Sequence, residues 1–106
     1  MQNMNQLNSE DNKEGYWEHY YDDGKLCSKG HFINGKCEGY WEEYYDNGQI
    51  EGKGHYINDI RDGLWEYYYS NGQLRHKGHF INGKVNGLCE HYFSSGQIMY
   101  KEVFIN

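Results

Sequence analysis

The stretch GYWEEYYDNGQIEGKGHYIN, residues 39–58, crowds tyrosines, a tryptophan, charges and glycines together, a composition that suits either a binding site or one tile of a sheet. Nearly the same words recur as GYWEHYYDDGKLCSKGHFIN from Gly15, GLWEYYYSNGQLRHKGHFIN from Gly63 and GLCEHYFSSGQIMYKEVFIN from Gly87. With starts at Gly15, Gly39, Gly63 and Gly87 the period is 24 residues without insertion or deletion. Periods of this size mark stacked repeat architectures.

Each repeat carries two turn signals. One is DDGK, DNGQ, SNGQ or SSGQ; the other is INGK in the first and third repeats and INDI in the second. Asp-Gly and Asn-Gly between alternating segments are strong hairpin signals, because type I′ turns need positive φ at both central residues. Each repeat therefore reads as two antiparallel strands of about seven or eight residues. Four repeats, 15–38, 39–62, 63–86 and 87–106, then make an all-β, single meandering antiparallel sheet of about eight strands. Residues 1–14, which lack aromatics and periodicity, are expected to be a flexible or loosely capping polar leader.

Two-residue turns set the register. Glu18 falls opposite Lys29, Glu42 opposite Lys53, Glu66 opposite Lys77 and Glu90 opposite Lys101. Such pairs contribute roughly 0.2–1 kcal/mol each and serve register more than stability. Trp17, Trp41 and Trp65 fall opposite Gly30, Gly54 and Gly78, where a missing side chain leaves room for an indole to lie across the next strand. In the last repeat both members change together, to Cys89 and Glu102.

Period-two alternation sorts the faces. Trp17, Tyr21, Leu26, Phe32, their equivalents and the strand glycines share one face, the expected buried side. Tyr20, Tyr44, Tyr68 and Tyr92, the Glu and Lys ladders, Ile33 and its equivalents, and His31, His55 and His79 share the other, wetter face. No segment reads as an amphipathic helix that would cover the aromatic face. The sheet is therefore expected to curl into a groove or barrel-like wrap, or to bury that face against another copy or a partner.

Aromatics reach 18% of the chain, which favours order despite a low mean hydropathy. The net charge of −6 argues against neutralising phosphates or docking on anionic lipid, and points to a partner with a basic surface. No basic start followed by an apolar run is present, and no stretch is apolar enough for a helical span, so a cytoplasmic location is expected. Cys27, Cys37 and Cys89 follow no metal or redox spacing. Alternation places Cys27 and Cys37 on opposite faces, which argues against a disulfide framework.

Equivalent residues of successive repeats stand two strands apart, roughly 9.5–10 Å. The histidine row therefore cannot converge on one metal, whose nitrogen ligands lie about 2 Å away. Each histidine instead faces an acceptor, His31 by Glu38, His55 by Asp62 and His79 by Asn86. The same spacing separates Glu18, Glu42, Glu66 and Glu90, each in nearly the same environment, which does not suit paired acid and base. Cys89 and His91 share a face as neighbours, an arrangement expected from a refilled Trp position rather than a nucleophile. No catalytic residue, cofactor or metal is expected. The row of Tyr20, Tyr44, Tyr68 and Tyr92, roughly 30 Å long, is the best contact candidate together with the four glutamates. The alternative is that these rings cover one another and the backbone.

The phrase G-x-W-E-x-Y-Y-x-x-G-x-[LI] followed by K-G-x-[FY]-I-N-G-K-x-x-G resembles the MORN repeat in its bacterial variant, over residues 15–106, with departures at Cys89, Glu102 and Val103. The resemblance implies an elongated, twisted antiparallel sheet serving as a scaffold or partner-binding surface, and many short bacterial members are described as antitoxins of the YwqK kind. It implies a non-enzymatic module, antitoxin-like or an inhibitor, that binds a protein partner stoichiometrically. The charge balance, small size and richness in Asn, Ile, Lys and Tyr suggest an alternative: a phage-encoded inhibitor of a bacterial nuclease or CRISPR-type defence complex. The apolar last strand, IMYKEVFIN, offers an edge for strand addition or a homodimer.

Overall fold

The computed structural model describes residues 4–105, so the ends of the expected leader and last repeat, 1–3 and 106, lie outside the described residues. Nine strands follow in order: β1 (Gln6–Leu7), β2 (Lys13–Tyr20), β3 (Leu26–Ile33), β4 (Lys36–Tyr44), β5 (Ile50–Ile57), β6 (Ile60–Tyr68), β7 (Leu74–Ile81), β8 (Lys84–Tyr92) and β9 (Ile98–Phe104). They form one antiparallel sheet in which sequence neighbours are always spatial neighbours. The sheet stays open, with extents of 47 × 35 × 21 Å.

The count is nine rather than about eight because residues expected in the leader pair with the sheet. Gln6 and Leu7 lie against Glu14 and Lys13. Asn5 adds three bonds, its amide donating to the Tyr16 carbonyl at 2.9 Å, its Nδ2 donating to the Glu18 carbonyl at 3.1 Å and its Oδ1 accepting from the Glu18 amide at 2.8 Å. The described part of the leader thus covers the first edge, satisfying backbone groups that an uncovered edge would leave to solvent.

The two turn signals have different geometries. Asn34-Gly35, Asn58-Asp59 and Asn82-Gly83 have positive φ at both positions and join directly paired residues such as Ile33 and Lys36, as type I′ turns do. The DDGK-type turns correct the expectation of two-residue loops. In the first, only Gly24 has positive φ, at 89°. Its amide donates to the Tyr21 carbonyl at 2.9 Å, and the Tyr21 amide to the Lys25 carbonyl at 2.8 Å. This is a three-residue loop, a type I turn closed by a glycine in the left-handed region.

A bulge then restores the expected register. Tyr20 pairs with Leu26, the next pair is His19 with Ser28, and Glu18 meets Lys29 as the two-residue arithmetic required. The longer loop and the extra residue cancel. Cys27 is the extra residue, so Leu26 moves to the face of Tyr20 and Tyr44, and the earlier placement of Leu26 beside Trp17 is corrected. Cys27 turns to the other face and lines one cavity with Cys37, overturning their expected separation; both are free thiols.

Burial confirms the tryptophan face as the inner one. The buried apolar side chains among the described residues are Phe32, Trp41, Trp65 and Cys89, with Trp65 wholly inaccessible. Rings on this face meet edge to face, Phe32 with Trp41 at 5.0 Å and the half-buried Tyr56 with Trp65 at 4.9 Å between centroids, a favoured arrangement of aromatic quadrupoles.

Tyrosine hydroxyls stitch one repeat to the next. Tyr45 and Tyr69 donate to the carbonyls of Tyr68 and Tyr92 at 2.6 and 2.7 Å, and Tyr21 donates to that of Tyr44. At the fourth equivalent position stands Phe93, which has no hydroxyl to donate.

Candidate functional site

The outer face carries a row of carboxylates held by phenols. Tyr16 donates to Glu18 Oε2 at 2.7 Å, and Tyr20 donates to the other oxygen of the same carboxylate. In the second repeat Tyr40 and Tyr44 donate to the two oxygens of Glu42, at 3.2 and 3.0 Å. In the fourth, Tyr92 donates to Glu90 at 2.8 Å. The third repeat departs: Leu64 stands where Tyr40 does, and Lys53 Nζ lies 5.6 Å from the Tyr68 ring centroid.

These bonds favour the ionised carboxylate over the ionised phenol. The hydroxyls of Tyr20 and Tyr16 hold Glu18 below the usual carboxylate range. Conversely, burial and then Glu18 push Tyr16 up to about 12, and burial and then Glu42 push Tyr40 up to about 12. Near neutral pH Glu18 is therefore a charged carboxylate, and Tyr16 and Tyr40 are neutral phenols.

The lysines correct one expectation. Glu42 has Lys53 as its backbone partner on β5, but its ion pair, at 3.5 Å, is with Lys29 on β3. Glu90 likewise reaches back to Lys77 at 4.0 Å rather than to Lys101. Each of these lysines has a glutamate on both flanking strands, and the register permits either pairing. The choice belongs to the side-chain geometry of the folded sheet.

Other candidate positions are distributed as follows. Tyr20 is exposed, while Tyr44, Tyr68 and Tyr92 are half-buried. Glu18, Glu42, Glu66 and Glu90 are all half-buried. Ile33, Ile57, Ile81, Tyr40, Leu64 and Leu88 are exposed on the same face and add apolar area between the charges. His31 pairs with Glu38, His55 with Asp62 and His79 with Asn86, and the rings of Tyr16 and Tyr40 tilt against His31 and His55 at 5.4 Å. Sequence alone did not single out Tyr16 and Tyr40 as carboxylate partners. Their signal was available, since each stands two residues before a glutamate and so on its face.

The inner face has its own chemistry. A run of near-parallel rings crosses it, Tyr67 on His76 at 4.7 Å and His91 on Tyr100 at 4.3 Å. Cys89 Sγ lies 3.5 Å from His91 Nε2, which also lies 2.9 Å from Glu102 Oε1. Burial, then Glu102 and Glu90, push the Cys89 thiol up, the opposite of what activates a nucleophile. Cys37 is pushed up to about 12, by burial first and Asp59 second. Glu43, half-buried, is also raised, by burial and then by Glu51.

The tryptophan–glycine relationship holds as a backbone register but not as the expected contact. Trp41 pairs with Gly54 across β4 and β5, yet its ring lies over Gly30 on β3, the strand before. Trp65 in turn lies over Gly54. Each indole N–H finds an acceptor on that earlier strand: Trp41 donates to the His31 carbonyl at 3.1 Å, Trp65 to that of His55 at 2.9 Å, and Trp17 to that of Gln6 on β1 at 3.0 Å.

The pattern of the family described as MORN repeat variant matches residues 13–34, 38–58, 61–82 and 85–106. The chain belongs to the MORN repeat variant family. The matched repeats begin one or two residues before the glycines used above to count the period, so the family unit takes in the strand residues leading into each glycine. No significant match is found among curated proteins. Members of the family are generally non-enzymatic repeat modules.

Proposed function

We propose that this MORN repeat variant is a non-enzymatic protein-binding module that receives a partner of basic surface on its tyrosine–glutamate face. One observation carries the reading: Glu18 and Glu42 are each gripped by two tyrosine hydroxyls, and Glu90 by one, on a half-open face. Such charges are already oriented, so an incoming lysine or arginine does not have to order them, and affinity gains from that preorganisation. The exposed isoleucines and Tyr40 supply contact area between the charges. The net charge of −6 adds attraction at a distance.

In this role the chain acts by occupying its partner's surface, as an antitoxin or inhibitor does. The acidic row favours a partner whose basic surface otherwise meets nucleic acid, which includes a toxin or a nuclease of a phage-defence complex. The test is capture from native host extract on immobilised protein, comparing wild type with the charge reversal Glu18→Lys, Glu42→Lys, Glu90→Lys and with Arg75→Glu, which changes a residue near the inner face. The proposal requires a protein bound in a fixed ratio by wild type and Arg75→Glu and released by the triple reversal. A partner retained by a folded triple reversal overturns it.

A further inference from the structure

The repeat leaves one indole position unfilled. Trp41 lies over Gly30 and Trp65 over Gly54, but over Gly78 the equivalent residue is Cys89. The difference is measurable at the glycines. A Cβ built on Gly30 or Gly54 would stand 2.2 Å from an indole carbon, whereas at Gly78 the nearest atom is Cys89 Sγ at 3.3 Å. Where the ring would lie there is a half-open cavity of about 190 Å3, lined by Gly78, Phe80, Val85, Cys89 and Phe104, with the polar side chains of Tyr67, His76, His91 and Glu102 at its wall.

Two of these walls are the equivalents of those at the filled positions. Phe80 stands one period after Tyr56 and two after Phe32, the residues that meet the indoles of Trp65 and Trp41 edge to face. His91 stands one period after Tyr67, which stacks on Trp65 at 6.0 Å and 24°. One period further on, His79 is the sequence equivalent of His31 and His55, whose carbonyls accept the two indole N–H groups. The Tyr67 hydroxyl is buried without a hydrogen-bond partner. The cavity's volume exceeds the roughly 150 Å3 that accommodates benzene in an engineered protein, so a planar ring fits by size, with Phe80 and Phe104 as its apolar walls.

We infer that the cavity over Gly78 is a binding site for an indole ring, laid on the sheet as the protein's own indoles are and donating its N–H to the His79 carbonyl. The guest is either a free indole-type molecule or a tryptophan side chain borne by another protein. The site lies on the inner face and is independent of the tyrosine–glutamate row.

The experiment is a two-dimensional amide NMR titration of the full chain with 3-methylindole, with N-acetyltryptophanamide and with methylcyclohexane as a non-planar control. Saturable shifts are expected at Gly78, Phe80 and Phe104 with 3-methylindole and not with the control, while Gly30 and Gly54 stay unmoved. Equal action of N-acetyltryptophanamide assigns the site to a protein-borne tryptophan, and its failure beside a binding 3-methylindole assigns it to a free small molecule. Cys89→Trp, which supplies the missing ring in cis, should abolish the shifts, and Gly78→Val should weaken them at least tenfold by narrowing the floor. The inference is overturned if wild type shows no saturable shift, or if a folded Cys89→Trp binds 3-methylindole as wild type does.

Discussion

The indole of Trp41 lies flat on Gly30, so close that a Cβ at Gly30 would fall 2.2 Å from the ring. That contact joins one repeat to the one before it, and the Trp65–Gly54 contact does the same one period later. Side chains on one strand of each hairpin therefore hold the stack together by leaning backward, while Tyr21, Tyr45 and Tyr69 hold it by reaching forward.

Substitution of these glycines should separate the filled positions from the unfilled one. Gly30→Ala and Gly54→Ala force an indole off its strand and should each cost about 1–3 kcal/mol, the usual range for overpacking a core. Gly78→Ala meets only the Cys89 sulfur and a Val85 methyl at 3.3–3.4 Å and should cost well under half as much. Urea denaturation of the three variants decides this; equal losses at all three positions would contradict the geometry.

Tyr45→Phe removes the hydroxyl that donates to the Tyr68 carbonyl and should lower stability by about 1 kcal/mol, the net worth of a typical hydrogen bond. Phe93→Tyr adds a hydroxyl at the equivalent position of the last described hairpin, where the 106-residue chain supplies no carbonyl one period on, and should leave the urea midpoint of this chain unchanged.

Glu42 and Lys29 should couple, whereas Glu42 and Lys53 should not, despite their backbone pairing. A double-mutant cycle of Glu42→Gln with Lys29→Met is expected to give about 0.2–1 kcal/mol, shrinking in high salt. The cycle with Lys53→Met should return a value near zero. Coupling to Lys53 alone would mean that the ion pairs run the other way.

Glu43 gives stability a pH dependence with a definite sign. Its carboxyl is raised by burial and then by Glu51. Between its ordinary value and that raised value the folded chain holds more protons than the unfolded one, so this group's contribution to stability falls as pH rises through the window. Above the window the full penalty of the buried charge remains. Glu43→Gln should therefore melt at a higher temperature than wild type at pH 7, with the gap closing as pH drops below the carboxylate range. A melting-temperature series against pH tests it.

Much of the fold was legible because its causes are local. Asn-Gly and Asp-Gly turns, strict alternation and a constant period place Glu18 against Lys29 and Trp41 against Gly54 whatever the rest of the sheet does. The type of the DDGK-like turn was not legible: a two-residue loop and a three-residue loop followed by a bulge give the same register at Glu18, and differ only in sending Leu26 and Cys27 to opposite faces. The carboxylate grip was half legible, since Tyr20, Tyr44 and Tyr92 lie on the face of the glutamates by alternation, but which hydroxyl bonds which oxygen depends on side-chain torsions.

From the amino-acid order alone came the all-β class, the period, the strand pairing and the sorting of most residues between two faces, because each follows from backbone chemistry within a few positions of the chain. Only the tertiary structure decided that the indoles, and the carboxylates of Glu42 and Glu90, turn to the strand before them rather than the strand after. It also decided that residues 6–7 supply that strand for Trp17, and that Cys89 leaves a cavity. A strand in a sheet has two neighbours at equal distance, and the choice between them rests on acceptors, bulges and packing volume that exist only once all the strands are assembled.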